Sequence, residues 1–160
     1  MVSAAMPQAP ESVLSMKVDM FISGRNLKSL DMFSKSDPVC VLSEFNTQTK
    51  SWVKLGKTEM LKNDRNPDFK TRFNVSYFFE KTQKLKFDMV DDDGSGSSDH
   101  IGSVETTMGA IMGARGQVFQ SELTHGNDSK NRGQIIVRAE GVQESKLSAS
   151  FRMKWSNINN

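Results

Sequence analysis

Hydrophobic and polar positions along this chain alternate with a period of two. Leu14, Met16, Val18, Met20 and Ile22 are separated by Ser15, Lys17, Asp19 and Phe21, which predicts a half-buried strand with one slip at its end. Leu85, Phe87 and Met89 alternate with Lys84, Lys86 and Asp88, and Ile135, Val137 and Ala139 alternate around Ile136 and Arg138. Leu147, Ala149, Phe151, Met153 and Trp155 do the same with Ser148, Ser150, Arg152 and Lys154. Further strands are predicted over 39–45, 51–62, 69–78, 101–108 and 117–123. Turn-forming stretches at 34–38, 63–67, 91–99 and 125–133 separate them. No segment carries a long helical stripe, and the single helical turn expected is near 107–114. With the 147–155 stretch set apart as an extra strand, the pattern predicts an all-β fold, an eight-stranded antiparallel β-sandwich, whose loop tips are the natural place for function.

Composition narrows the chemistry. One cysteine excludes an intrachain disulfide framework and a multi-cysteine zinc site, and two histidines argue against a metal site built on imidazole. A net charge of +2 gives no reason to expect nucleic acid as a partner. The apolar runs are too short for a helical membrane span. Residues 1–12 are small, polar and proline-punctuated, without the basic start and apolar centre of a signal peptide, and read as a disordered lead-in to a cytoplasmic domain. Neither histidine has a companion in a recognisable nucleophile motif, and no phosphate-cradling glycine loop is present, so an enzyme is not expected.

The distribution of aspartate changes the picture more than the totals do. Residues 30–38 and 90–102 together hold six Asp and one Lys, a net of −5 that leaves +7 on the rest of the chain. Carboxylates crowded into one place stay ionised together when a cation joins them, or when water and spacing screen them. Carboxylate and carbonyl oxygens are hard donors that suit Ca²⁺. On composition alone the two stretches read equally well as solvated turns. An EF-hand is excluded. Asp91, Asp93, Ser95 and Gly96 fall at its first, third, fifth and sixth positions, but its twelfth is Gly102 instead of Glu and its flank at 84–90 alternates as a strand.

Leu30-Asp31 through Ser36-Asp37-Pro38, then Asp91-Asp92-Asp93 and Asp99-His100-Ile101-Gly102, with Asn66-Pro67-Asp68-Phe69 between them, resemble the loops of a C2 domain. Asp37 follows Asp31 by six positions, Asp93 follows Asp91 by two and Asp99 follows Asp93 by six. The stretches 33–38, 82–87 and 133–135 make it most similar to the first C2 domain of a copine. The likeness covers 13–143, and 144–160 resembles the start of a second C2 domain, so the chain reads as a fragment of a longer copine or as a shortened member. Because the first strand runs straight into the first Asp loop and the Gln134 strand comes last, the resemblance implies the type II strand order, with both ends of the domain opposite the loops.

The resemblance implies Ca²⁺ held by Asp31, Asp37, Asp91, Asp93 and Asp99, and calcium-dependent docking on anionic, phosphatidylserine-like phospholipid at the inner face of the plasma membrane or on other membranes. Met32, Phe33 and Lys35 at the first loop would meet the membrane, unless Phe33 folds back onto the sandwich. Lys50, Lys54, Lys57, Lys62, Lys70 and Arg72 form a basic set that is either a phosphoinositide patch or a solvated face. The alternative function is a calcium-independent protein-interaction module that recruits protein partners through a sheet face or these basic residues.

Overall fold

The computed structural model describes residues 14–30 and 35–142. The lead-in at 1–12, the alternating stretch at 147–155, and Asp31, Met32 and Phe33 of the first loop lie outside the described residues. Eight strands follow in order: β1 (Ser15–Arg25), β2 (Pro38–Asn46), β3 (Ser51–Lys57), β4 (Asp68–Phe78), β5 (Lys84–Asp92), β6 (Ser98–Thr107), β7 (Val118–Glu122) and β8 (Gln134–Val142). They pair antiparallel into two sheets, ordered β4-β1-β8-β7 and β3-β2-β5-β6. This is the type II order the resemblance implies. Lys17 of β1 lies opposite Val142 of β8, so both described ends leave from one end of the sandwich. The described stems 26–30 and 35–37 and the connections 58–67, 93–97 and 123–133 gather at the other end.

Alternation sets which face each strand buries. Val18, Met20 and Ile22 of β1 are fully buried, as are Cys40 and Leu42 of β2 and Leu85, Phe87 and Met89 of β5. Each large apolar side chain buried this way contributes roughly 1.5–3 kcal/mol. Burial also pushes the Cys40 thiol far up, with the Asp88 charge adding to it, so this cysteine is a packing residue. The slip in β1 is a bulge against β4 between Phe21 and Ser23. Phe21 itself faces out, with the Arg138 guanidinium 4.4 Å from its ring centroid.

Two boundaries differ from the sequence expectation. The strand predicted over 51–62 ends at Lys57, because Thr58 takes over the pairing with its side chain. Its N–H donates to the Cys40 carbonyl, while its hydroxyl accepts the Cys40 N–H, both at 2.9 Å. The turn predicted over 91–99 shrinks to 93–97, because β5 runs through Asp92 and β6 starts at Ser98. Polar residues at strand ends hide the strand in the pattern. The short helix is present as α1 (Met108–Gly113), where the Thr107 hydroxyl accepts the Ala110 N–H and Met108 and Ile111 are buried.

Gln83 closes the far end. It is 7% exposed. Its Oε1 accepts the Phe78 N–H at 2.8 Å, and its Nε2 donates to the Ser76 carbonyl at 2.8 Å and to Glu44 Oε1 at 3.2 Å. Gln83→Leu keeps the volume but strands those backbone groups. Urea unfolding should show a loss of about 2 kcal/mol, and an unchanged midpoint would mean that water replaces the amide.

Candidate functional site

Strand register builds the site. Pro38 opens β2 directly after Asp37, and it lies opposite Asp91 on β5, which lies opposite Asp99 on β6. Three of the sequence-predicted ligands therefore sit at the ends of three adjacent strands. Asp91 Oδ1 accepts the Asp37 N–H at 2.9 Å, and the Asp37 carbonyl accepts the Asp92 N–H at 3.0 Å. Asp37 Oδ1 accepts the Asn63 N–H at 2.7 Å, which ties the second loop, 58–67, to the first.

The Asn-Pro turn braces the same region. Leu27 and Arg65 are joined twice, by the Leu27 N–H to the Arg65 carbonyl at 2.9 Å and by Arg65 Nε to the Leu27 carbonyl at 2.8 Å. Asn66 Oδ1 accepts the Asn26 N–H at 3.0 Å, and the Gly24 N–H donates to the Pro67 carbonyl at 2.8 Å. Ser36 is buried and its hydroxyl donates to the Lys28 carbonyl at 3.0 Å. Both described stems of the first loop are thus held in place.

Asp93 begins the 93–97 loop and is exposed. Its Oδ1 accepts the Ser95 hydroxyl at 2.6 Å and the Ser95 N–H at 2.9 Å, and its Oδ2 accepts the Ser97 hydroxyl at 3.0 Å. These donors, led by the Ser95 hydroxyl, hold its carboxyl below the usual range, in the ionised form a cation requires. Asp92 faces the other way, onto the outer surface of the sheet. There it lines a groove of about 260 Å³ with Val39, Val41, Val90, Lys54 and Lys57.

The six basic residues are not brought together. Lys54 and Lys57 flank that groove, on the outer face of the β3-β2-β5-β6 sheet. Lys50 lies in the β2–β3 turn at the end opposite the Asp loops, and Lys62 lies in the 58–67 loop. Lys70 and Arg72 point outward from β4 in the other sheet, with Arg72 3.6 Å from Asp19. Lys35 is exposed beside Ser36. Sequence reading also missed a contact. His100 and His125, 25 residues apart, lie side by side with Nδ1 atoms 2.7 Å apart. Only the register of β6 against the 123–133 connection reveals it.

Among the described residues no three His, Cys, Asp or Glu side chains converge closely enough to hold a metal ion, and no helix is long and apolar enough to cross a membrane. The donors assembled at the Asp loops are all oxygen, a set that fits a hard cation such as Ca²⁺ and suits no softer metal.

The C2 domain family model matches residues 17–124. Copine-E of Dictyostelium discoideum is 34% identical over 147 residues, covering 89% of this chain and 25% of the relative, so the chain spans about a quarter of that protein's length. A C2 domain of plant Extended Synaptotagmin 1 shares the fold with a TM-score of 0.63 at 19% identity, covering 81% of this chain and 97% of that one. The tandem C2 domains of Extended-Synaptotagmin 2, calcium bound, give a TM-score of 0.57 at 16% identity over 79% of this chain and 45% of that one. The chain belongs to the C2 domain family, with copines among its relatives.

Proposed function

We propose that this chain is a calcium-dependent module that docks on anionic phospholipid through its two Asp loops. The observation that carries this reading is the register Pro38–Asp91–Asp99, which sets aspartates at neighbouring strand ends on the loop side of the sandwich. Asp37, Asp91, Asp93 and Asp99 hold the ion together with Asp31. Bound Ca²⁺ supplies positive charge against the loops' −5 and coordination positions for a headgroup phosphate or carboxylate.

The chain's own residues do the rest. Without the ion, the loops are repelled by an anionic surface while the remaining +7 is attracted to it. The loops thus act as the gate and the rest of the chain as the attraction. Gly94, Ser95, Gly96, Ser97 and Ser98 offer nothing apolar to insert, so docking is shallow there, with Met32 and Phe33 the residues able to wedge. Lys54 and Lys57, which flank the outer groove, suit a phosphoinositide headgroup as a second contact. The setting is a peripheral one, at the inner face of the plasma membrane or on other membranes.

Co-sedimentation with phosphatidylserine-containing vesicles, with Ca²⁺ and with chelator, tests the reading. Binding with Ca²⁺ alone is expected, and it should weaken steeply with added salt because charges are screened beyond about 8 Å at physiological ionic strength. Equal binding in chelator would transfer the function to a calcium-independent face, and no binding in either condition would remove lipid docking from the isolated chain.

A further inference from the structure

His100 and His125 form a contact that the Asp loops do not use. Their rings are half-buried, with centroids 4.9 Å apart and planes tilted by 37°. The rings stand on separate supports. His100 is held on β6 opposite Val90. His125 opens a turn that pairs with Asp128, directly after Thr124, whose backbone exchanges two hydrogen bonds with Ser103 of β6 at 2.7 and 3.0 Å. Asp128 in turn takes the Arg132 guanidinium at 2.5 Å.

Counting protons limits the arrangements open to the pair. Asp88 Oδ1 lies 3.2 Å from His100 Nε2, and Asp88 Oδ2 lies 3.8 Å from Lys86 Nζ. A carboxylate accepts, so a neutral His100 facing Asp88 in this geometry places its N–H on Nε2 and presents a lone pair at Nδ1. In that neutral pair the facing Nδ1 of His125, 2.7 Å away, is the donor. In the other tautomer of His125, two lone pairs face each other, and only an electrophile between them makes that arrangement favourable.

Although a count of two histidines argues against a metal site built on imidazole, the 2.7 Å contact brings both rings to one point, and we propose that His100 and His125 form a two-imidazole site for a divalent ion of borderline softness, of the Zn²⁺ or Cu²⁺ class, with Asp88 orienting the first ring and water completing the shell. Zinc–nitrogen bonds of about 2.0–2.1 Å, at angles between a right angle and the tetrahedral one, place two nitrogens roughly 2.9–3.4 Å apart. The pair therefore opens by less than about 1 Å to admit the ion. A carboxylate on the outer nitrogen is the support that metal-bound imidazole ordinarily has. Ca²⁺ does not compete, because it takes oxygen donors. From the neutral pair the ion binds without releasing a proton, since the Nδ1 proton of His125 is replaced by one on its own Nε2. Once bound, it staples the 123–133 connection to β6, the strand that also carries Asp99.

The chain contains two histidines, so imidazole nitrogen resonances of the ¹⁵N-labelled full chain report the site directly. With Ca²⁺ in excess to fill the oxygen sites, Zn²⁺ should shift the Nδ1 signals of both rings along one curve that saturates near about one equivalent, while His100 Nε2 stays protonated. His125→Gln should weaken Zn²⁺ binding at His100 by about tenfold or more. The proposal is overturned if only one ring responds, if the shift falls on His100 Nε2, or if His125→Gln binds Zn²⁺ as tightly as the parent. If that variant does not fold, the parent spectrum decides alone, because two Nδ1 signals that share a midpoint and saturate together at one equivalent require one shared ion, whereas two separate sites would need two. Vesicle binding does not enter the readout, so the two readings fail separately.

Discussion

Replacing Asp37 and Asp91 together with asparagine will abolish calcium-dependent vesicle binding and leave the fold intact. The substitution keeps the acceptor oxygens, so the contacts from Asp91 Oδ1 to the Asp37 N–H and from Asp37 Oδ1 to the Asn63 N–H persist. It removes two negative charges from a region of −5, so the metal-free variant should be at least as stable as the parent. What disappears is the gain on adding metal. For a loop site with Kd of about 10⁻⁵–10⁻⁴ M, about 1 mM Ca²⁺ stabilises the folded state by roughly 1.4–2.7 kcal/mol. In a domain of this size that raises Tm by about 4–10 °C. The parent should show this rise and the variant should show none, alongside loss of sedimentation with vesicles. A variant that still sediments in a calcium-dependent way would remove these carboxylates from the site.

Much of this arrangement was legible in the sequence, and the parts that were not have definite causes. Period-two alternation located β1, β5 and β8 because each buries one face fully. It failed at the ends of β5 and β6, where Asp91, Asp92, Ser98 and Asp99 hydrogen-bond as strand residues while their composition reads as turn. The spacing of the aspartates was visible, but the pairing of Asp91 with both Asp99 and the Asp37–Pro38 corner depends on register, which alternation alone does not set. The basic residues show the converse. They are neighbours in sequence, yet Lys54 faces outward from one sheet and Arg72 from the other, because the 58–67 loop carries the chain across the sandwich. The histidine pair left no sequence signal, since neither spacing nor pattern connects β6 to a loop 25 residues later.

Gly133→Ala should be among the most damaging single changes in the domain, although Gly133 lies on neither Asp loop. Gly133 is buried, has φ of +101°, and leads into β8. A Cβ there would lie 2.7 Å from the Asn26 carbonyl oxygen, 2.8 Å from that of Arg25 and 2.9 Å from Leu27 Cα. All three obstacles are backbone, so no side chain can swing aside, and the 25–27 segment from which the first loop leaves β1 must move instead. The move strains the Leu27–Arg65 and Asn26–Asn66 contacts that brace that loop. A cost of about 3 kcal/mol or more is expected, lowering the urea midpoint by about 1 M or more and weakening calcium-dependent docking with it. Gly94→Ala separates the causes. Gly94 also has positive φ, +78°, but an added Cβ meets nothing within 4 Å. It should cost only about 1–2 kcal/mol for the left-handed backbone. Equal losses in the two variants would place the penalty in the dihedral angle, and a much larger loss at Gly133 would place it in the close approach of β8 to the base of the first loop.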